Sequence, residues 1–164
     1  MAQGDLILKV SDVRGESNDK DAPDWIELTG WAFAAGSTWD PTTGQTQSRV
    51  KMGELVVTKL VDISTPILFQ FLATNRLIPE VKLVNRKAGG DRQEGYFKIE
   101  LKDARVRSVV QKGSGAGGTV LEETVAFLYR TITWTHSEQG AHGTLVGGPT
   151  SYTYDWHSNI PSNS

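Results

Sequence analysis

Three histidines are the residues of this chain best suited to acid–base or metal chemistry. His136, His142 and His157 lie in the last third of the sequence, within or beside polar, glycine-rich segments. A zinc site needs three or four ligands at suitable spacing, and neither an HxH nor an HExxH pattern is present. Histidines in such segments are typical of solvent-facing loops. They predict neither a metal site nor a catalytic base.

Two groups of acidic residues have the composition of a chemical site but not its spacing. The adjacent pair Glu122–Glu123 resembles a glycosidase dyad in residue type, but neighbours on a strand point to opposite faces and cannot flank one bond. Asp19, Asp21 and Asp24 stand close together, but no glycine and terminal glutamate complete a calcium-binding loop. We expect a solvated acidic loop there.

Two turn segments carry residues that bind phosphates or acidic partners in other settings. The run GSGAGG, residues 113–118, lacks the Lys-Ser/Thr pair of a P-loop and precedes a predicted strand, which is typical of a flexible hairpin loop. The run NRKAGGDR places Arg86, Lys87 and Arg92 around a tight turn, where a soluble hairpin tip is expected. The sequence therefore predicts no catalytic residue, no metal and no cofactor.

The composition disfavours several kinds of partner. A net charge of -2 and a pI near 5.9 give no long-range attraction to nucleic acid or to an anionic membrane. Cysteine is absent, so disulfides and thiolate chemistry cannot contribute. No signal peptide and no run of 18 apolar residues are visible, so we expect no membrane insertion and any export without the general secretory signal. The length favours one domain over residues 1–164.

About seven or eight segments have the residue pattern of β-strands. One of them, WIELTGWAFA at 25–34, is apolar on both faces, which is typical of strands covered on both sides. The others are DLILKV, VKMGELVVTKLVD, EVKLVNRK, GYFKIELKDARVRSVV, VLEETVAFLYRTITWTH and SYTYDW. The pattern predicts a mainly β fold: a small closed or nearly closed β-barrel of two packed sheets with one short α-helix.

The one predicted helix lies in the run STPILFQFLATNR, residues 64–76. Ser64 or Thr65 can cap its N-terminus, and Pro66 suits its first turn. At about 10 residues the helix is too short to be stable alone in water. A single face cannot bury all of its large apolar side chains, which are Ile67, Leu68, Phe69, Phe71 and Leu72. Either it plugs the end of the barrel and also meets a neighbouring subunit, or one side is partly exposed.

Two motifs of this chain are specific when they occur together: GES at 15–17 and T-K-x-x-D-x-x-[ST]-P at 58–66. They occur in order with IELTGWAF, RKAGG, YFKIELKDARVRSVV, LEETVAFLYRTITWTH and GGPTSYTYDW. Over nearly the whole chain this order resembles the hemolysin-coregulated proteins of type VI secretion systems.

The resemblance implies a structural protein rather than an enzyme. Proteins of that family form hexameric rings around an open channel, and the rings stack into the inner tube of a contractile injection machine. The contractile sheath propels the tube, which is tipped by a spike protein, and small effector proteins can be carried in the lumen. We therefore expect a homo-hexamer that is cytoplasmic before firing and secreted afterwards, with no nucleic-acid partner.

Two regions are candidates for the contacts of such a tube. Strand alternation places Ala32 opposite Trp31 and Phe33, so Ala32 would face the lumen and its effectors if those rings lie in the core. The loop at about 36–48 is long for a hairpin connection, and a mobile tip is its simplest interpretation. The resemblance implies instead that it contacts a neighbouring subunit or the next ring, through Trp39, Asp40, Thr42 and Thr43.

Two other functions remain open from the residues alone. A small-ligand-binding β-barrel would be a monomer and would retain an apolar ligand through purification. A β-barrel hydrolase would lose turnover when its histidines are replaced by alanine.

Overall fold

In the computed structural model, the described residues are 6–38, 40–44, 50–87, 94–115, 117, 121–138 and 147–158, and they form eleven strands and one helix. The strands are β1 (Leu6–Val10), β2 (Ile26–Glu27), β3 (Gly30–Ala32), β4 (Ala35–Gly36), β5 (Lys51–Met52), β6 (Leu55–Leu60), β7 (Ile78–Lys87), β8 (Glu94–Lys112), β9 (Glu122–Leu128), β10 (Thr131–His136) and β11 (Thr150–Asp155). The helix is α1 (Thr65–Ala73).

One long hairpin joins two sheets. Its first strand is β8, which has 19 residues. The first part of β8 pairs with β7 and β10, and the second part pairs with β9. The return strand is interrupted at Tyr129 and Arg130, opposite Asp103, whose φ of 51° is a left-handed conformation that aspartate tolerates. At this corner the hairpin passes from one sheet to the other.

The larger sheet has the strand order β2-β1-β7-β8-β10-β11, and the smaller sheet has the order β8-β9-β6-β3. Their inner faces share one core, in which the following side chains are at most 1% exposed: Leu8, Val81, Leu83, Ile99, Leu101, Leu55, Val57, Val125 and Phe127. This confirms the predicted mainly β fold of two packed sheets with a short helix.

The barrel is nearly closed rather than closed. No ladder joins β3 to β11 within the described part of the chain. Aromatic rings bridge this seam instead: the Phe33 ring meets the Trp134 ring edge-on at 5.4 Å, and Trp134 stacks on Tyr152 at 6.0 Å. The seam, defined by the edges of β3 and β11 that pair with no further described strand, is therefore packed by aromatic rings.

The helix has the predicted position, but its cap differs from the prediction. Ser64 stands at the N-cap position without a side-chain bond to the helix, because its hydroxyl donates to Asp62 Oδ1. Leu68 and Phe71 are buried in the core, whereas Phe69 is 37% exposed. Of the two predicted arrangements, one partly exposed side is therefore observed in the single chain.

The segment WIELTGWAFA is not one strand, because the chain crosses between the sheets in its middle. The amide of Leu28 donates to Leu6 in the larger sheet, at 3.0 Å, and the next amide, of Thr29, donates to Thr58 in the smaller sheet, at 2.8 Å. The segment contains β2 and β3 and ends just before β4. Its two-sided apolar pattern reflects this change of sheet.

Arg86 corrects the prediction of an exposed basic hairpin tip. A register shift between Asn85 and Arg86 turns this part of β7, and Arg86 is buried. Its guanidinium donates to Asp19 Oδ2 at 2.8 Å. The loop with Asp19 is therefore fastened to the larger sheet and is not a freely solvated acidic loop.

Candidate assembly surfaces

The T-K-x-x-D-x-x-[ST]-P motif forms a buried polar network between α1 and the smaller sheet. Lys59 Nζ lies 2.6 Å from Glu123 Oε1 and 3.0 Å from Asp62 Oδ1. The Thr65 hydroxyl donates to Glu123 at 3.1 Å and accepts the Asp62 amide at 3.2 Å. A buried charge is tolerated only when it is paired and hydrogen-bonded in this way. The motif therefore fixes the start of α1 onto β6 and β9.

The GES motif lies next to the same helix start. A Cβ at Gly15 would lie 2.3 Å from the carbonyl oxygen of Trp25, so glycine is required there. The Glu16 carboxylate accepts the Ile63 amide at 3.1 Å, and Ser17 is buried. The loop that follows is held by Arg86, whose hydrogen bond lowers the pKa of Asp19 below its usual value of 3.8. The two sequence motifs thus organise one region of the fold.

The outer face of the smaller sheet carries no charge in its two central rows of residues. The inward residues of its strands are buried in the core, so the residues that alternate with them point outward. Two rows cross the four strands on this side: Ala32, Val56, Ala126 and Ser108, then Gly30, Thr58, Thr124 and Val110. Charged residues flank these rows, with Lys112 and Glu122 at one end and the ion pair Arg107–Glu54 at the other.

A pocket of about 270 Å³ opens toward the Lys112 end of this face, and its lining combines neutral and charged residues: Thr29, Thr58, Val110, Thr124, Lys112, Glu122 and Glu123. Ala32 is exposed in the adjoining row. Between its charged ends the face therefore offers small and hydroxyl side chains that a polypeptide can contact.

The loop predicted at about 36–48 is an arm that leaves the barrel through β4 and returns through β5. Its described tip is a turn in which Asp40 accepts the Thr42 amide with its side chain and the Gly44 amide with its backbone, at 2.8 and 2.9 Å. Thr42 and Thr43 are exposed, as is the apolar Val50 beside β5. Trp39 lies outside the described residues.

The residues considered for catalysis are not brought together. Glu122 is exposed and Glu123 is buried, so they point to opposite faces as predicted. His136 and His157 are exposed, and His142 lies outside the described residues. Among the described residues no group of three His, Cys, Asp or Glu side chains could hold a metal ion. No described helix has the length and apolar character to cross a membrane.

A family model described as "Type VI secretion system effector, Hcp" matches residues 7–136, most of the chain. The chain belongs to the Hcp family of type VI secretion proteins. A curated relative, Protein hcp1 of Pseudomonas aeruginosa, is 33% identical over 158 residues, which cover 95% of this chain and 97% of the relative. The Major exported protein of the same species is 32% identical over 111 residues, 63% of this chain and 64% of that protein.

Solved Hcp structures share the fold. One described as a type six secretion system protein superposes with a TM-score of 0.87 at 25% identity, over 96% of this chain and 98% of that one. The predicted family resemblance is confirmed.

The motif at 58–66 was recognised in the sequence, but the buried network that it forms with Glu123 was not predicted. Lys59 follows Leu55 and Val57 on the inward side of β6, and a lysine at an inward position signals a buried partner. Glu123 likewise precedes Val125 and Phe127 on the inward side of β9. The position of each charged residue on the inward side of its strand is the sequence signal that it is buried. The pairing itself depends on the register of β6 against β9.

Proposed function

We propose that this Hcp-family protein is a structural, non-enzymatic component of the inner tube of a type VI secretion system. In this proposal identical subunits form hexameric rings, the rings stack, and small effector proteins are held in the lumen during export. The spike protein at the tip and the contractile sheath around the tube are the other partners. The protein is cytoplasmic before firing and secreted afterwards.

The observation that carries the proposal is the outer face of the smaller sheet. It is four strands wide, and its two central rows, which contain Ala32 and Thr58, are uncharged. Six such faces with strands about 4.8 Å apart span roughly 115 Å, the circumference of a channel about 37 Å across before side chains are counted. A folded protein of about 100 residues has a radius of gyration of about 13 Å and is of comparable size. We propose that Ala32 faces this lumen.

The seam supports a contact between identical subunits. β3 and β11 end their sheets without a further described strand beside them, and free edges favour pairing with another chain. A head-to-tail contact that covers the seam closes into a ring when the rotation allows. The arm, with Asp40, Thr42 and Thr43 at its described tip, supplies a second contact. We propose that it reaches the neighbouring subunit or the next ring, together with Trp39.

Native mass spectrometry over a range of concentrations tests the ring, and closed hexamers are the expected result. The amide of Trp156 bonds to the Arg130 carbonyl oxygen at 3.0 Å, and strand alternation then directs the Thr153 amide away from β10. Thr153→Pro removes that outward donor without breaking the β10 ladder, so this variant should fold but lose rings. A strict monomer for the unmodified protein would contradict the proposal and favour a ligand-binding barrel. If Thr153→Pro still forms hexamers, the subunit contact does not depend on the edge of β11.

A further inference from the structure

The arm is joined to the barrel by a narrow root formed by Ala34 and Gly53. The Gly53 amide donates to the Ala34 carbonyl oxygen at 2.8 Å. A Cβ at Gly53 would lie 2.3 Å from that same oxygen, so no other residue fits without moving the backbone. The two chains of the arm therefore leave the barrel side by side at a fixed separation.

Beyond this root the arm begins as a short two-stranded ribbon. Its ribbon consists of two residue pairs, Ala35 with Met52 and Gly36 with Lys51. Ala35, Gly36 and Lys51 are exposed, and Met52 alone of the four packs against the core. A short two-stranded ribbon is marginally stable in water. The root is therefore a place where contacts with the barrel can orient this ribbon.

Tyr129 contacts the root from inside the barrel. It lies at the corner where the long hairpin passes between the sheets, and it is 9% exposed. From there its phenol donates to the Gly53 carbonyl oxygen at 2.7 Å. Beside it, the ion pair Arg107–Glu54 joins the bulged part of β8 to the residue that follows Gly53. The return chain of the arm is thus held by the corner of the fold.

We propose that Tyr129 is a positioning residue for assembly: its hydrogen bond to Gly53 sets the direction in which the arm reaches the neighbouring subunit. This inference rests on the proposed function, because it gives the arm a partner. Burial raises the pKa of Tyr129 to about 12, so the phenol remains a donor throughout the neutral range. The bond is present in the single subunit, so the arm is oriented for contact before assembly.

The test uses Tyr129→Phe, which removes the hydroxyl and keeps the ring. Tyr152→Phe is the matched control, because Tyr152 stacks on Trp134 beside the same core, whereas the described hydrogen bonds of the root involve Tyr129 and Ala34. A third variant replaces residues 37–47 by a short Gly/Ser turn. Amide exchange at residues 35, 36 and 51–53 and sedimentation of stacked rings are measured for all three.

Tyr129→Phe removes the hydrogen bond to Gly53 and also the side-chain hydrogen bond between Tyr129 and Trp156. Loss of the bond to Gly53 should speed amide exchange at the root by about tenfold. Stacking should fall toward that of the shortened variant, with Tyr152→Phe unchanged in both measurements. Normal stacking in Tyr129→Phe, while the shortened variant fails to stack, would overturn this inference and leave the arm's role intact. Normal stacking in both would overturn the inference and the proposed arm contact together. Equal losses in the two tyrosine variants would also overturn it, since a general loss of stability would then suffice.

Discussion

Lys59 and Glu123 face each other across two neighbouring strands, with Nζ and Oε1 2.6 Å apart and both side chains fully buried. The pair lies at the junction of β6, β9 and the start of α1, and Gln111 of β8 donates to the second oxygen of Glu123 at 3.2 Å. Four elements thus meet at one pair of charges. The arrangement makes the smaller sheet sensitive to the loss of either partner.

Replacement of Lys59 by methionine should destabilise the fold by about 3–5 kcal/mol, because it leaves the Glu123 charge buried without its partner. Adding Glu123→Leu should recover most of that loss, since a well-packed apolar pair of similar volume is often neutral. Urea denaturation gives the free energies of unfolding. Lys82→Met, at a half-buried surface lysine, is the control and should change stability by less than about 0.5 kcal/mol. A single-variant loss as small as that of the control would contradict the role of the network.

Acid should weaken the attachment of the loop that contains Asp19. The hydrogen bond from Arg86 lowers the pKa of this carboxyl in the folded state below 3.8. Its contribution to stability is therefore complete above pH 3.8 and is lost as the pH falls through the lower folded-state pKa. Asp19→Asn should remove this part of the pH dependence of stability and leave the pH dependence above pH 3.8 unchanged. Unfolding curves of the two proteins that remain parallel below pH 3.8 would show that the pair has no such effect.

Alkaline pH should destabilise the fold through Tyr129, whose folded-state pKa is raised rather than lowered. Its folded-state pKa is about 12 against an ordinary value of 10.0, so between these values the unfolded chain loses the proton first. The stability that the neutral phenol contributes is complete below pH 10 and falls by about 2–3 kcal/mol as the pH rises to 12. Subtracting the profile of Tyr129→Phe isolates this group from the other tyrosines and the lysines. A flat difference profile would show that Tyr129 ionises normally.

The general architecture could be predicted from the sequence because alternation and turn residues are local signals. The short helix was recognisable from Pro66 and the apolar run that follows it, although Ser64 does not cap it. The crossing at Leu28 and Thr29 was not recognisable. An apolar two-sided pattern is the same whether a strand is covered on both faces or changes sheet halfway.

The partners of the buried charges were also not predictable from the sequence. Arg86 stands beside a glycine-rich turn, and only the register shift in β7 turns it toward Asp19. Glu123 and Lys59 are 64 residues apart, and their contact depends on strand register. For the candidate assembly surfaces, Trp31 and Phe33 pack against the core as alternation predicts, and Ala32 between them is exposed in the single chain. What covers Ala32 in an assembly is a property of several chains and stays a prediction.

Replacement of Ala32 by arginine should leave rings intact and reduce the retention of effector proteins. Ala32 is exposed at the outer face of the smaller sheet and pairs with Val56, so a longer side chain there does not enter the core. In a hexamer six guanidinium groups would enter the channel, narrow it, and add positive charge to an otherwise uncharged band.

Thr135→Arg, on the outer face of the larger sheet, is the matched control, because it adds the same group away from the proposed lumen. Rings of all three proteins are purified at equal concentration, and an effector that co-purifies with the unmodified rings is quantified by mass spectrometry. The effector should be depleted in Ala32→Arg alone. Equal retention in all three ring preparations would show that Ala32 does not face the lumen.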